Sequence, residues 1–155
     1  FFFKQKTAYE IPNRDWSSDV CSSDLPPQRE SEPAIAPPAA VRITAGRVVL
    51  EGDLTVPARA SGLVVFAHGS GSSRFSRRNR AVAHVLQRGG FATLLLDLLT
   101  RQEEAIDEQT REYRFDVDRL GDRVVAAIDW ASRDPRVALL PVACFGASKI
   151  GRAHV

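Results

Sequence analysis

The sequence contains no methionine, and its only lysines are Lys4, Lys6 and Lys149. A stretch without methionine holds no start codon. Lysines confined to the two ends set those ends apart from a middle whose basic side chains are arginine and histidine. Cysteine is scarce as well. The two present, Cys21 and Cys144, exclude a disulfide framework. No apolar run approaches the roughly 20 residues that a membrane-spanning helix needs. Phe1–Phe3 lacks the charged and apolar regions of a signal peptide. The formal net charge of +2 gives no basic field of the kind that gathers nucleic acid or anionic lipid. These absences lead us to expect a cytoplasmic protein without nucleic-acid or membrane partners.

The ends carry a second signal. Ile150-Gly-Arg-Ala-His-Val155 can be written ATC GGA AGA GCA CAC GTC. Its reverse complement translates as Asp-Val-Cys-Ser-Ser-Asp, the sequence of Asp19 to Asp24. Two ends that encode each other in opposite orientation resemble one synthetic oligonucleotide joined to both ends of a DNA insert. Lys4 to Ile11 and Asp15 to Leu25 resemble a translated sequencing adapter, with Pro12 to Arg14 as its variable index. Residues 1–25 and 150–155 are therefore expected to be adapter-derived and non-native, and Lys149 to come from a hybrid codon. Such segments are set aside before fold reasoning. Removing them takes away Lys4, Lys6, Arg14 and Arg152 together with Glu10, Asp15, Asp19 and Asp24, so the charge balance is unchanged.

The remainder opens with residues 26–40, rich in Pro, Ala and Glu, which read as a linker or disordered lead-in. Val41 to Pro57 alternates, with Val41, Ile43, Val48, Leu50, Leu54 and Val56 as the apolar set and Gly46 and Gly52 as punctuation. That pattern predicts a hairpin of two short strands. Leu63 to Ala67 and Ala92 to Leu96 are short continuous apolar runs, the signature of strands covered on both faces in a parallel sheet. Between them a helix is expected, capped near Ser76, with Val82, Val85 and Leu86 on one face and Gly89-Gly90 as its stop. Leu98 to Arg114 reads as polar and irregular. A second helix, capped by Asp116 or Asp118, places Val117, Leu120, Val124, Ile128 and Ala131 on one stripe. Val137 to Phe145 is expected to be a third buried strand. Alternating strands and helices of this kind predict an α/β fold with a parallel sheet.

Ligands in open α/β sheets bind beyond the carboxyl ends of the strands. Three stretches leave such ends: His68 to Arg74, Asp97 to Arg101, and Gly146 to Ser148. Gly146-Ala-Ser148 is the front half of a G-x-S-x-G nucleophile elbow, in which a sharp turn pushes a serine hydroxyl clear of the backbone. The second glycine, Gly151, comes one residue late for that motif. Gly69 and Gly71 would let backbone N–H groups approach an anionic oxygen. An oxyanion hole of this type, from the N–H after the nucleophile and one from an earlier strand-end loop, stabilises a tetrahedral intermediate. Losing one such donor costs about 3 kcal/mol of transition-state stabilisation.

Leu63-Val-Val-Phe-Ala-His-Gly-Ser-Gly-Ser-Ser-Arg74, Arg77-Arg-Asn-Arg80, Ala92 to Thr100, Arg114-Phe-Asp116 and Phe145-Gly-Ala-Ser148, in that order, resemble the dienelactone-hydrolase-like branch of the α/β hydrolases. The resemblance runs from about Val41 to Ser148. It implies Ser148 as nucleophile, His68, Gly69 and Ser70 as the oxyanion-hole loop, no metal or cofactor, and a small-molecule ester, thioester or lactone as substrate. It also implies residues 41–149 as the N-terminal part of an incomplete α/β-hydrolase fold: a hairpin plus three parallel-sheet strands with connecting helices, later strands missing. Relatives usually continue Gly-Ala-Ser-Thr-Gly, and the triad acid and histidine follow the elbow. No acid follows Ser148, and the one histidine that does, His154, lies in the end expected to be adapter-derived, so the chain as it stands is expected to be inactive. Dienelactone hydrolases proper carry a cysteine at the elbow. Cys144, four residues before Ser148, reads instead as a small buried hydrophobe.

The remaining candidates read as structural. His68 shapes its loop rather than acting as a base, His84 faces solvent, and Asp97 is a structural acid. Arg77, Arg78 and Arg80 read as a solvated helix face. Two alternatives stay open. His68-Gly-Ser-Gly-Ser-Ser-Arg74 followed by a helix, a strand and Asp97 partly matches a dinucleotide-binding fingerprint of a Rossmann-type oxidoreductase. A non-catalytic, hydrolase-like binding domain is the other.

Overall fold

The hairpin is the simplest consequence of the alternating pattern. In the computed structural model, residues 35–68 and 72–146 are described, all within one compact unit, Ser31–Val155. Strand β1 (Ala39–Ala45) begins two residues before the first expected core position and pairs antiparallel with β2 (Val48–Thr55). Val41 and Ile43 on β1 and Leu50 and Leu54 on β2 are buried, while Arg42, Thr44 and Glu51 face out. The connecting loop is two residues, with Gly46 first at φ +61°. A tight hairpin loop that opens with positive φ calls for glycine there. Gly52, read from sequence as punctuation, is instead mid-strand and opposite Val41. A Cβ at Gly52 would stand 3.1 Å from the Leu95 carbonyl oxygen, so the position is glycine because the next strand comes close.

The two continuous apolar runs form β3 (Leu63–Ala67) and β4 (Ala92–Leu96), which pair parallel. All five residues of β4 are buried, as expected of a strand covered on both faces. The sheet order is β1-β2-β4-β3-β5, where β5 (Val142–Gly146) lies parallel to β3 and β2 antiparallel to β4. Helix α1 (Arg77–Arg88) covers the face carrying Phe66 and Leu95. Helix α3 (Val117–Ala131) packs on β1 and β3, its Ala127 and Ala131 joining the cluster that holds Val65 and Leu94. The mixed sheet is thus sandwiched between helices, the α/β architecture that the sequence predicts.

Four expectations need correction. On α1, Val82 and Leu86 pack against the Phe66–Leu95 cluster, but the fully buried positions are Asn79, Ala83 and Gln87, and Val85 is 60% exposed. Polar residues can turn inward because the Gln87 amide donates to the Thr93 hydroxyl at 2.7 Å. On α3, Val117 is exposed and Arg123 buried. The stretch from Leu98 to Arg114 contains a ten-residue helix, α2 (Arg101–Thr110), and a 3-10 turn at Tyr113–Phe115. Finally, residues 135–139 are turns and the third strand starts only at Val142, with all its residues exposed. It is the sheet edge, and no described helix packs over it. Cys144 is accordingly exposed rather than a buried hydrophobe. No helix among the described residues is long and apolar enough to cross a membrane.

Candidate functional site

Parallel pairing brings the carboxyl ends of three strands to one edge. Ala67 is opposite Leu96 on one side and Gly146 on the other. The residue after Ala67 is His68, the residue after Leu96 is Asp97, and Ser148 follows Gly146 by two. Ser148, Gly69 and Ser70 themselves lie outside the described residues. Gly146, which leads into the expected elbow, is thus placed beside the strand whose end leads into His68 and the expected oxyanion loop.

His68 is committed to shape. Its Nε2 accepts a hydrogen bond from the Leu98 N–H at 3.0 Å. An acceptor nitrogen carries no proton, so in the neutral ring the proton is assigned to Nδ1. A backbone amide fixed on Nε2 suits a residue that ties two strand ends together.

Asp97 is likewise engaged. One carboxylate oxygen accepts the Arg74 N–H at 2.7 Å, the other the Arg74 guanidinium. Its own N–H donates to the Glu51 carbonyl at 2.9 Å. The guanidinium of Arg74 also reaches Glu51 Oε2 at 2.8 Å and lies 3.6 Å from Asp53 Oδ1. Burial lowers the pKa of Arg74, but its attraction to Asp97 and hydrogen bonds to Glu51 and Asp97 outweigh this and raise it above its ordinary value. Arg80 contacts Asp53 at 3.3 Å and the Arg74 carbonyl at 3.2 Å, and both guanidiniums lie over the Phe75 ring, at 4.4 and 5.1 Å. Arg80 therefore belongs to a built network, whereas Arg77 and Arg78 are exposed, as a solvated face requires. His84 is exposed too.

A cavity of about 120 Å³ opens at this edge, lined among others by His68, Asp97, Leu98, Leu99, Asp107 and Arg114. Its far wall is α2, which the sequence reading missed. Thr100 accepts from the Glu103 N–H at 3.3 Å, and Glu103 accepts from the Thr100 N–H at 2.9 Å, a reciprocal capping box. The T-x-x-E spacing was the available signal. Asp107 is buried, which raises its pKa, yet hydrogen bonds from the Arg114 N–H (2.9 Å) and Nε (2.7 Å) hold it below the usual carboxylate range. Arg123, on the α3 stripe, donates to the Leu98 carbonyl at 2.5 Å and grips Glu103 at 2.5 and 2.8 Å. Leu98 is thereby held from both sides, its N–H by His68 and its C=O by Arg123.

Asp97 is tied to the stretch after β3, with Arg74 on both its oxygens. The strand beside β4 is also the antiparallel β2, where a dinucleotide-binding fold places a further parallel strand. The antiparallel β2 beside β4 and the anchoring of Asp97 by Arg74 weigh against the dinucleotide-binding alternative.

Comparison with known proteins agrees on the fold. No protein-family model matches the chain. Two Mycobacterium tuberculosis proteins, from strains CDC 1551 and H37Rv and both provisionally named phosphoribosyl transferases, are 49% identical over 123 residues, 79% of this chain and 25% of theirs. A dienelactone hydrolase from Anabaena variabilis superposes with a TM-score of 0.70 at 54% identity, covering 72% of this chain and 51% of that one. Est1E from Butyrivibrio proteoclasticus, at 20% identity and a TM-score of 0.57, shares the fold alone. The chain spans a quarter of the curated relatives and about half of the Anabaena protein. The mixed sheet, its order and these neighbours establish an α/β fold of the α/β-hydrolase type.

Proposed function

We propose that the protein containing this chain is a serine hydrolase acting on an ester, thioester or lactone-like carbonyl. The observation that carries this reading is the Ala67–Gly146 register: it brings the approach to Ser148 beside the approach to Gly69 and Ser70. In the proposed reaction Ser148 Oγ attacks the carbonyl carbon, and its proton passes to a histidine outside this chain. The oxyanion is met by backbone N–H groups near Gly69 and Ser70 and after Ser148. The carbonyl re-forms as the C–O or C–S bond to the leaving group breaks, and that group takes the proton. Water then attacks the acyl-serine by the same route, releasing the acid and restoring Ser148. The substrate is a small molecule, and this chemistry requires no metal or cofactor.

The name carried by the mycobacterial proteins supports a second reading, transfer of a phosphoribosyl group, because identity over the matched stretch is 49%. That stretch is a quarter of those proteins, and the hydrolase-like sheet described here favours the first reading. Assay of the full-length protein on a p-nitrophenyl ester decides between them. We expect turnover, a loss of about 10³-fold or more in kcat on Ser148→Ala, and no release of pyrophosphate from phosphoribosyl pyrophosphate by residues 26–148 alone. Esterase activity that survives Ser148→Ala would overturn the assignment, and absence of any turnover would favour a non-catalytic binding domain. The 155-residue chain is expected to show no Ser148-dependent hydrolysis.

A further inference from the structure

Helix α1 contributes Arg80, Ala83, His84 and Gln87 to a second cavity, distinct from the one at the strand ends. These residues stand at i, i+3, i+4 and i+7, the spacing of one helical face. Across from them are Asp53 and Thr55 of β2 and Leu95 of β4. Those three share a face of the sheet, because Asp53 is opposite Leu95 and side chains alternate along a strand. The third wall is the lead into β1, residues 35–38. The cavity measures about 360 Å³, inside the range of about 300–1,000 Å³ typical of small-molecule sites. One group sets its chemistry. Gln87 is 4% exposed. Its Nε2 donates to the Thr93 hydroxyl at 2.7 Å, which assigns the orientation of the amide. Its Oε1 has no hydrogen-bond partner among the described residues. A buried amide oxygen without a donor has given up its hydration for nothing. Arg80 does not supply the donor, since its guanidinium bonds to Asp53 at 3.3 Å and to the Arg74 carbonyl at 3.2 Å. Pro37 and Pro38 have no backbone N–H to offer.

We propose that this cavity is a binding site for a small neutral molecule with an apolar body and one N–H or O–H donor. The body lies between the proline lead and α1, against Ile35, Ala83 and Leu95, and the donor is placed on Gln87 Oε1. The ligand is neutral because the carboxylate of Asp53 and the guanidinium of Arg80 already face each other across the wall. A donor is required because the orphaned group is an acceptor. The site stands apart from the hydrolase reading, since no residue it uses is placed in that chemistry.

Indole and 1-methylindole test this on the 155-residue chain. Indole offers a single N–H donor on an apolar ring. In 1-methylindole a methyl replaces that hydrogen, a small addition against 360 Å³. Titrations followed by saturation-transfer NMR of the ligand, which tolerates an associating protein, give the two Kd values. We expect indole to bind at about 1 mM or tighter and 1-methylindole at least about fivefold more weakly. Adsorption to exposed apolar surface predicts the reverse order, because 1-methylindole is the more apolar. In Gln87→Met, which removes the acceptor at similar length, the two should bind within about twofold of each other. Phe145→Lys, on the exposed strand β5, should leave both constants unchanged. Gln87→Met also gives up the bond to Thr93, so its fold is checked by circular dichroism. If that variant does not fold, the order of the two probes on the wild-type chain decides. An equal or reversed order on the wild-type chain would overturn the inference. So would an indole preference that persists in folded Gln87→Met or is lost in Phe145→Lys. Binding of neither probe below about 10 mM would also overturn it, and would mean that water alone serves Gln87 Oε1.

Discussion

Leu98 has no polar side chain, yet its two backbone polar groups are satisfied by side chains from distant parts of the chain, His68 and Arg123. Buried backbone groups without partners cost about as much as a lost hydrogen bond, so these contacts are part of what fixes the strand end. Arg123 is buried at 6% exposure and depends on Glu103 to neutralise it. Burial raises the Glu103 pKa, but the hydrogen bonds from Arg123 and Thr100 win and hold it at about 2 against an ordinary 4.5. A carboxylate with a depressed folded pKa contributes stability that is fully present above its unfolded pKa and is lost as pH falls through the folded one. The pair should therefore weaken between pH 4.5 and about 2. The stabilisation is of order 1–3 kcal/mol, below the full linkage figure because Glu103 stays partly open to solvent. Glu103→Gln should lower the urea midpoint at pH 7 and lose most of that difference at pH 3; an equal gap at both pH values would refute the linkage. Gly52 makes a separate prediction. Gly52→Ala puts a Cβ 3.1 Å from the Leu95 carbonyl and 3.2 Å from Val41 Cγ2. Since the former is sheet backbone and cannot swing away, the expected cost is about 1–3 kcal/mol, read as a fall in the denaturation midpoint with unchanged m-value.

Helix α2 shows what an apolar pattern conveys and what it misses. β3 and β4 are legible in the sequence because a strand buried on both faces must be apolar throughout. α2 has no apolar stripe: only Asp107 is buried, and Ile106 is 46% exposed. It is held by its ends, a capping box at Thr100 and a left-handed C-cap at Arg111 with φ 60°, and by Asp107 bonding to Arg114. Hydrophobic periodicity carries no trace of such a helix, although the T-x-x-E spacing does. The misplaced stripes have the same origin. Gln87 and Arg123 face inward because specific partners receive them, the Thr93 hydroxyl for Gln87 and Glu103 with the Leu98 carbonyl for Arg123, and such partners leave no mark on an apolar pattern. At the site, the convergence of the three strand ends was legible from their order, and His68 and Asp97 each bond across to the neighbouring strand end. The Arg74 network and the Arg123–Glu103 pair were not legible, since they join residues more than 15 positions apart. If the capping box is what makes α2 a helix, Thr100→Ala should cost about 1 kcal/mol and raise amide exchange at residues 102–104 before any global unfolding. The same substitution combined with Glu103→Gln should cost less than the sum of the two, because both act on one set of contacts; strict additivity would argue against the box.

At the scale of the whole molecule, the sheet is asymmetric. On one side it ends in the hairpin strand β1, half covered by α3. On the other it ends in β5, whose five residues are all exposed, Val142 to 39% and Phe145 to 37%, with Leu139 just before it at 99%. The Phe66 ring lies 5.0 Å from that of Phe145. An exposed apolar strand with a free row of N–H and C=O groups is a template for pairing with another chain. The 155-residue chain should therefore self-associate through β5, seen as concentration-dependent mass in light scattering. Phe145→Lys, which places a charge on the edge, should shift it toward monomer, with a fall in the denaturation midpoint limited to the lost contact with Phe66. The same substitution discriminates between two settings of this strand. In a longer protein whose sheet continues past β5, as the half-coverage of the Anabaena structure leads us to propose, Phe145 would be enclosed. Phe145→Lys would then bury an unpaired charge and cost several kcal/mol. A monomeric 155-residue chain, or one whose association is indifferent to Phe145→Lys, would mean that the edge is protected by contacts other than those of the described residues. A full-length protein that tolerates the lysine would mean that β5 remains the edge there too.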